Sequence, residues 1–342
     1  MPRTGVEEKL PWRSAPTAVR HGVQEALGSP VALGSPVALG RRVWGGYGPT
    51  PTFRLVLADG RRVFFKGTNR ASHDFARGAL LREERVYREL SGVIGPWAPG
   101  FYAAFRYDEW HVLLLEDVGS KSVPPWTPAT TRRIAHAYAA FHAATLGATD
   151  LPQWLPCPRE SLGQVTWRRV AAEPDGLRSV AALARERSQE ALAWLRAALP
   201  LLCRLADSAA DLPGPFALLH WDTRSDNLRF ISGRLVLFDW PSAEVGRPEF
   251  DVVAFAQSVA VEGGVEPEQV VTWYGERLAL RAGALDSAVV WLAAFFADYA
   301  WRPDIPGLPR LRTFQRQQVA VVLAWAARRL HLPEPAWVAA MR

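Results

Sequence analysis

The stretch Leu218-Leu219-His220-Trp221-Asp222-Thr223-Arg224-Ser225-Asp226-Asn227-Leu228, followed by Leu235-Val236-Leu237-Phe238-Asp239-Trp240, decides how this chain is read. It sets out a His-x-Asp, an Asn five residues after that Asp, and an apolar run ending in a second Asp. Phosphoryl transfer asks for such a set: one carboxylate near the attacking hydroxyl, and oxygen ligands that hold Mg²⁺ against nucleotide phosphates. Asp222 can serve as the first, and Asn227 and Asp239 as the second. The apolar runs on either side of Gly233-Arg234 read as a hairpin. A hairpin would return Asp239 to the neighbourhood of Asn227. Asp and Asn at strand ends are more often turn formers or caps. The full set is much rarer than any one member, and it favours chemistry.

His220-Trp221-Asp222 through Asn227, with Phe238-Asp239-Trp240 and Gly246-Arg247-Pro248-Glu249-Phe250-Asp251, resembles the aminoglycoside phosphotransferase and choline kinase-like family. The resemblance is closest to the phosphotransferase members common in actinobacteria, and it spans nearly the whole chain. It implies an α+β, bilobal protein-kinase-like fold. A β-rich nucleotide lobe would occupy residues 1–117, and a helical catalytic and acceptor-binding lobe residues 118–342. It also implies ATP and Mg²⁺ as cofactors. Arg62-Val-Phe-Phe-Lys66 matches the family's strand that delivers the lysine to ATP. The strand from His111 to Glu116 leads into a hinge, Asp117-Val118-Gly119, whose backbone at Glu116 and Val118 would bond the adenine. Asp251 corresponds to a structural carboxylate that holds the catalytic loop. Two positions depart from the pattern: Trp221, where the family most often has Gly, and Trp240, where protein kinases have Phe-Gly.

The 342 residues suit one large domain or two modest ones, and 49% are hydrophobic, enough for a sizeable core. No apolar run reads as long enough to span a bilayer, and the N-terminus lacks the apolar segment of a signal peptide. Cys157 and Cys203 have no metal-ligand spacing, so a reducing cytoplasm is expected. The net charge of +6 comes from scattered arginines interleaved with acids. That pattern reads as a solvated surface, not a nucleic-acid face. Among 40 basic residues only Lys9, Lys66 and Lys121 are lysines. Lys66 closes an apolar strand, where a compact ammonium suits a phosphate better than a planar guanidinium.

Taken in order, residues 16–27 read as a short amphipathic helix ended by Gly28. The tandem repeat Leu27-Gly-Ser-Pro-Val-Ala and Leu33-Gly-Ser-Pro-Val-Ala reads as a duplication tolerated in a surface connection. Residues 43–66 read as two or three strands, with a glycine-rich tip at Gly45-Gly46-Tyr47-Gly48-Pro49 and a turn at Asp59-Gly60. On the helix expected over 78–90, Leu80, Glu83, Tyr87 and Leu90 share one face. Glu83 on an apolar face needs a cation, and Lys66 is the obvious one. Further helices are expected over 130–145, 180–205, 248–261, 278–300 and 315–330, with His142 in the core. Asp226 reads as a turn residue or a substrate contact.

The chain therefore reads as an ATP- and Mg-dependent O-phosphotransferase of a small hydroxylated molecule, probed first with aminoglycosides and amino sugars. A catalytically silent nucleotide-binding regulator is the alternative. A nucleic-acid partner and a membrane are not expected, and a monomer is compatible with everything above. Behind Asp239, the acids Glu244, Glu262, Asp298 and Asp304 and the rings Trp273, Trp291, Tyr299 and Trp301 are the candidates to line an acceptor pocket. Glu262 before Gly263-Gly264, and Asp298 in an otherwise apolar helix, are the two favoured.

Overall fold

The computed structural model describes residues 11–36, 51–162, 166–305 and 311–341. Contacts group the chain into two compact units. Among the described residues, the first takes 11–36, 51–122 and 226–242, and the second 123–162, 166–225, 243–305 and 311–341. The 226–242 segment thus groups with the N-terminal chain, where the sequence suggested a single cut after residue 117.

In the first unit five antiparallel strands, β1 Val31–Pro36, β2 Thr52–Leu57, β3 Arg62–Thr68, β4 Phe101–Tyr107 and β5 Trp110–Glu116, pair in the order β1-β2-β3-β5-β4. Alternation along β2 and β3 turns Phe53, Leu55, Leu57, Val63 and Phe65 inward. The helix Thr17–Leu27 lays Val19, Val23 and Leu27 on that face at i, i+4 and i+8. Trp12 closes the cluster, edge-on to Phe53 at 5.2 Å and Phe65 at 5.3 Å. Each such buried side chain contributes roughly 1.5–3 kcal/mol. Gly28 ends the helix in the left-handed conformation, φ 65°.

Up to Pro36, the duplicated segment is not a loose connection. Val31–Pro36 is an edge strand paired with β2. Of the strands expected over 43–66, the structure has β2 and the larger part of β3, with Gly60 in a left-handed turn between them at φ 86°. The glycine-rich tip at 45–49 lies outside the described residues. The helix expected over 78–90 begins earlier and spans Asp74–Glu89, started by His73, whose ring accepts from the Phe75 amide.

The second unit is mainly helical. Its principal helices are Pro128–Thr145, Ser188–Ser208, Pro248–Val261, Pro267–Gly275, Ala282–Ala300 and Leu311–Arg329. The helix expected over 180–205 is in fact two, Gly176–Ala182 and Ser188–Ser208, separated by a turn in which Arg185 takes φ 54°. Pro267–Gly275 was not anticipated. Ala282–Ala300 is long and apolar enough by length and composition to cross a membrane, contrary to the expectation that no run is. It is 72% buried within the protein, as a core helix would be. The short strands Ala217–Leu219 and Glu244–Gly246 pair antiparallel, and His220–Asp222 follows directly on the first.

Candidate active site

The hairpin expected around Gly233 forms. Leu228–Ile231 pairs with Arg234–Leu237, with Ser232 at φ 50° and Gly233 at φ 83° making the turn. The Phe238 amide donates to the Asn227 carbonyl at 3.0 Å, so the two ends of the hairpin meet. Asn227 and Asp239 therefore lie together in the first unit, although the chain runs out and back between them.

Asp239 brings its carboxylate to Lys66. Lys66 Nζ lies 2.9 Å from Asp239 Oδ1 and 2.9 and 2.8 Å from the two oxygens of Glu83. The anticipated partnership of Lys66 with Glu83 is therefore present, and Glu84 turns instead to Arg88 and His111. Glu83 is 2% exposed. Burial pushes its carboxyl up to about 7, against the pull of the Lys66 ammonium. Burial works against the Lys66 charge as well, but Asp239 and Glu83 outweigh it and raise the lysine above its ordinary value. One ammonium between two carboxylates stays charged and is held in place on three sides.

An amide oxygen at Asn227 and a carboxylate at Asp239, 40% exposed, are the hard oxygen donors that Mg²⁺ takes. The donor set therefore fits Mg²⁺. Asp239 sits at φ 69°, a left-handed backbone that Asp tolerates better than most residues. Trp240, fully buried, donates its indole N–H to the Leu237 carbonyl and its amide to Glu83.

A cavity in the first unit is lined by Lys66 together with Arg54, Phe64, Leu115, Glu116, Asp117, Val118, Arg229 and Phe238. Glu116 and Val118, the expected base-binding positions, are on its wall. The Glu116 side chain accepts from the Gly100 amide at 3.0 Å. Sequence reading missed Arg54 and Arg229. The signal for Arg229 was its place in the apolar run Asn227-Leu228-Arg229-Phe230-Ile231. Lys121 and Asp226, both in this unit, form an ion pair, which gives Asp226 a partner other than a substrate.

In the second unit, Asp251 organises the loop that carries Asp222. Its two oxygens accept the amides of His220 and Trp221, each at 2.6 Å. His142, wholly buried, bonds Asp251 at 3.1 Å and the Tyr274 hydroxyl at 2.7 Å. It is the core histidine that was expected. Burial alone would raise the Asp251 carboxyl, but bonds from His142, Tyr138 and the loop hold it below its usual range. Trp221 takes φ 66°, a conformation open to Gly at little cost. Its ring packs on Phe250 at 5.6 Å and Trp291 at 5.1 Å. Asp222, 44% exposed, lies 3.1 Å from Arg224 Nε.

The two favoured acceptor residues part company. Glu262 accepts from Ser225 Oγ at 2.9 Å and Trp126 Nε1 at 2.8 Å, which ties it to the end of the same loop. Asp298 is 1% exposed, with Arg302 at 2.7 Å and Arg169 at 3.4 Å from its oxygens. The partner that an apolar helix demands for a carboxylate is thus supplied from within. Its geometry is that of a structural residue and does not support an acceptor contact. Trp291 also serves the interior, donating to the Leu162 carbonyl.

A profile described as the phosphotransferase enzyme family matches residues 40–285. No curated protein sequence matches the chain. Among solved structures, a protein described as a fructosamine-3-kinase from Thermobifida fusca YX-ER1 is 21% identical, with 90% of this chain and 98% of that one covered at a TM-score of 0.54. Spectinomycin phosphotransferase APH(9)-Ia, solved with ADP and spectinomycin, is 11% identical over 95% and 96% at 0.55. Choline kinase LicA from Streptococcus pneumoniae is 11% identical over 89% and 98% at 0.54. At these identities the likeness is one of fold: a β-sheet lobe and a helical lobe of the protein-kinase-like kind.

Proposed function

The chain belongs to the phosphotransferase enzyme family, and from that premise we propose that it moves the γ-phosphoryl group of a nucleoside triphosphate, read first as ATP, to a hydroxyl of a small molecule. The observation that carries this reading is the ammonium of Lys66 bonded to both Glu83 and Asp239. A lysine clamped by a helix carboxylate beside a metal-competent Asp is a device for nucleotide phosphates.

In this reading Lys66 binds α- and β-phosphate oxygens and Glu83 sets its position. Asn227 and Asp239 would hold Mg²⁺, which neutralises charge developing on the phosphates. Asp222 accepts a hydrogen bond from the acceptor hydroxyl and aims its oxygen for in-line attack. Arg224, 3.1 Å away, orients the Asp222 carboxylate. Asp251 fixes the His220 and Trp221 amides and so the trajectory of the loop. Glu116 and Val118 offer backbone groups to the base. Glu262 remains the acidic group proposed to meet the acceptor.

The acceptor class proposed is an aminoglycoside, amino sugar or related metabolite. In support, the similar folds include a spectinomycin phosphotransferase, an aminoglycoside phosphotransferase solved with ADP and hygromycin B, a protein described as a fructosamine-3-kinase, and a choline kinase. The test is a screen of nucleotide consumption against aminoglycosides, amino sugars, choline and other hydroxylated antibiotics, with Asp222→Asn as the control. Consumption that depends on both an acceptor and Asp222 supports the reading. Tight nucleotide binding with no turnover on any acceptor would favour the silent regulator instead.

A further inference from the structure

Arg229 stands two residues beyond Asn227 and is 6% exposed. A buried guanidinium has five N–H donors to place and no acceptor of its own. Its Nη1 donates to the Leu228 carbonyl at 2.7 Å and to the Asp226 carbonyl at 3.4 Å, and these two residues bracket Asn227. Its Nε donates to the Gly119 carbonyl at 3.3 Å. The guanidinium carbon lies 4.8 Å from the centre of the Phe238 ring. Phe238 in turn donates its amide to the Asn227 carbonyl at 3.0 Å and directly precedes Asp239. One side chain thus touches the backbone on both sides of one candidate metal ligand and the residue before the other. Residues beyond Gly119 are fixed to the same segment: Ser122 Oγ accepts the Phe230 amide at 2.8 Å, and Lys121 pairs with Asp226.

Mg²⁺ tolerates little error in the placing of its ligands, since it takes a near-ideal octahedron of oxygens at about 2.0–2.1 Å. Asn227 brings a neutral oxygen with no net charge to draw the metal, so its worth depends on how firmly its backbone is held. A planar fork can span two carbonyls at once, whereas an ammonium is a single point of charge. We propose that Arg229 is a positioning residue for the metal site: it holds Asn227 and, through Phe238, Asp239 in place for Mg²⁺. The inference rests on the phosphotransferase reading and its two metal ligands, and adds to them the side chain that keeps them in register.

Calorimetric titration of the full chain with ATP, in Mg²⁺ and in excess EDTA, gives the factor by which the metal tightens nucleotide binding. Loss of a partner that orients a metal ligand typically costs ~10–100-fold in metal affinity, so Arg229→Met should cut that factor by at least ~10-fold. Arg229→Lys, which keeps the charge but not the fork, should not restore it. The double variant with Asn227→Ala separates positioning from general damage. A residue that acts through Asn227 costs less once Asn227 is gone than it does alone. Gly34→Ala, which burdens the first unit elsewhere by crowding the Trp12 ring, should leave the factor unchanged. Should Arg229→Met not fold, Phe238→Leu removes the ring beneath the guanidinium and should lower the factor in the same direction. An unchanged factor in whichever of the two folds overturns the proposal. So does full restoration by lysine, or a double variant whose losses simply add. If Mg²⁺ does not tighten ATP binding in the unaltered chain, the metal ligands of the phosphotransferase reading are themselves wrong, and the inference falls with them.

Discussion

At Lys66 three charged groups share one small volume, and their balance is testable residue by residue. Asp239 supplies an anionic oxygen and Asn227 a neutral one, so Asp239→Asn should weaken Mg²⁺-dependent nucleotide binding more than Asn227→Ala. Calorimetry over a range of Mg²⁺ concentrations checks this; equal Mg²⁺ dependence in the unaltered chain and Asp239→Asn would remove the metal assignment. Asp222→Asn should leave nucleotide affinity in place and lower turnover by ~10²–10⁴. Glu244 gives a pH signature of its own. It is 5% exposed, and burial pushes its carboxyl up to about 8, despite the Trp221 indole and the Ser161 hydroxyl. A carboxyl whose pKa is higher folded than unfolded favours the folded state while protonated. That contribution is full below pH 4.5 and is lost as pH rises toward 8. Urea midpoints should therefore fall between those pH values, and Glu244→Gln should flatten the fall.

Elements make some residues necessary that no motif would single out. Gly28 and Gly34 occupy the same place in the two copies of Leu-Gly-Ser-Pro-Val-Ala. Gly28 ends a helix at φ 65°, whereas Gly34 lies in strand β1 beneath the Trp12 ring, where a Cβ would overlap the ring. Gly34→Ala should therefore destabilise by ~1–3 kcal/mol, the cost of overpacking, read as a lower denaturation midpoint. Gly28→Ala should cost about 1 kcal/mol, through the left-handed backbone alone. Should the two variants prove alike, β1 does not pack under Trp12 as described. The loop that carries Asp222 is likewise a product of its surroundings. Two amides on one buried carboxylate, Asp251, hold His220 and Trp221, and the Trp221 ring fastened to Phe250 and Trp291 offsets the strain of its backbone.

On the scale of the molecule, the first unit carries Lys66, Glu83, Asn227 and Asp239, and the second Asp222 and Glu262. A ligand that binds only the folded chain adds RT ln(1 + [L]/Kd), ~2.7 kcal/mol at a hundredfold excess over Kd. A nucleoside triphosphate with Mg²⁺ should accordingly raise the melting temperature by several degrees. Duplex DNA should not, since the net charge of +6 is spread among acids with no basic run. A DNA-induced shift that falls steeply with salt would revive a nucleic-acid role.

The sequence by itself determined the elements whose signal is local. Periodicity marked Thr17–Leu27, spacing marked His220, Asp222, Asn227 and Asp239, and turn chemistry marked the hairpin at Gly233, because each depends on residues a few positions apart. A lone Glu83 on an apolar face was enough to predict its cation, since a buried carboxylate without one is costly. Tertiary structure alone decided the rest. The same logic applied to Asp298 called for a partner but could not say whether it was an acceptor or an arginine of the chain; Arg302 and Arg169 supply it. The two repeat glycines have the same immediate neighbours in sequence, and only tertiary structure puts Gly28 at a helix end and Gly34 in a strand paired with β2 beneath the Trp12 ring. Arg54 and Arg229 come from strands far apart in sequence and meet at one carbonyl. Long-range packing and burial set those environments, and neither is written in the order of neighbouring residues.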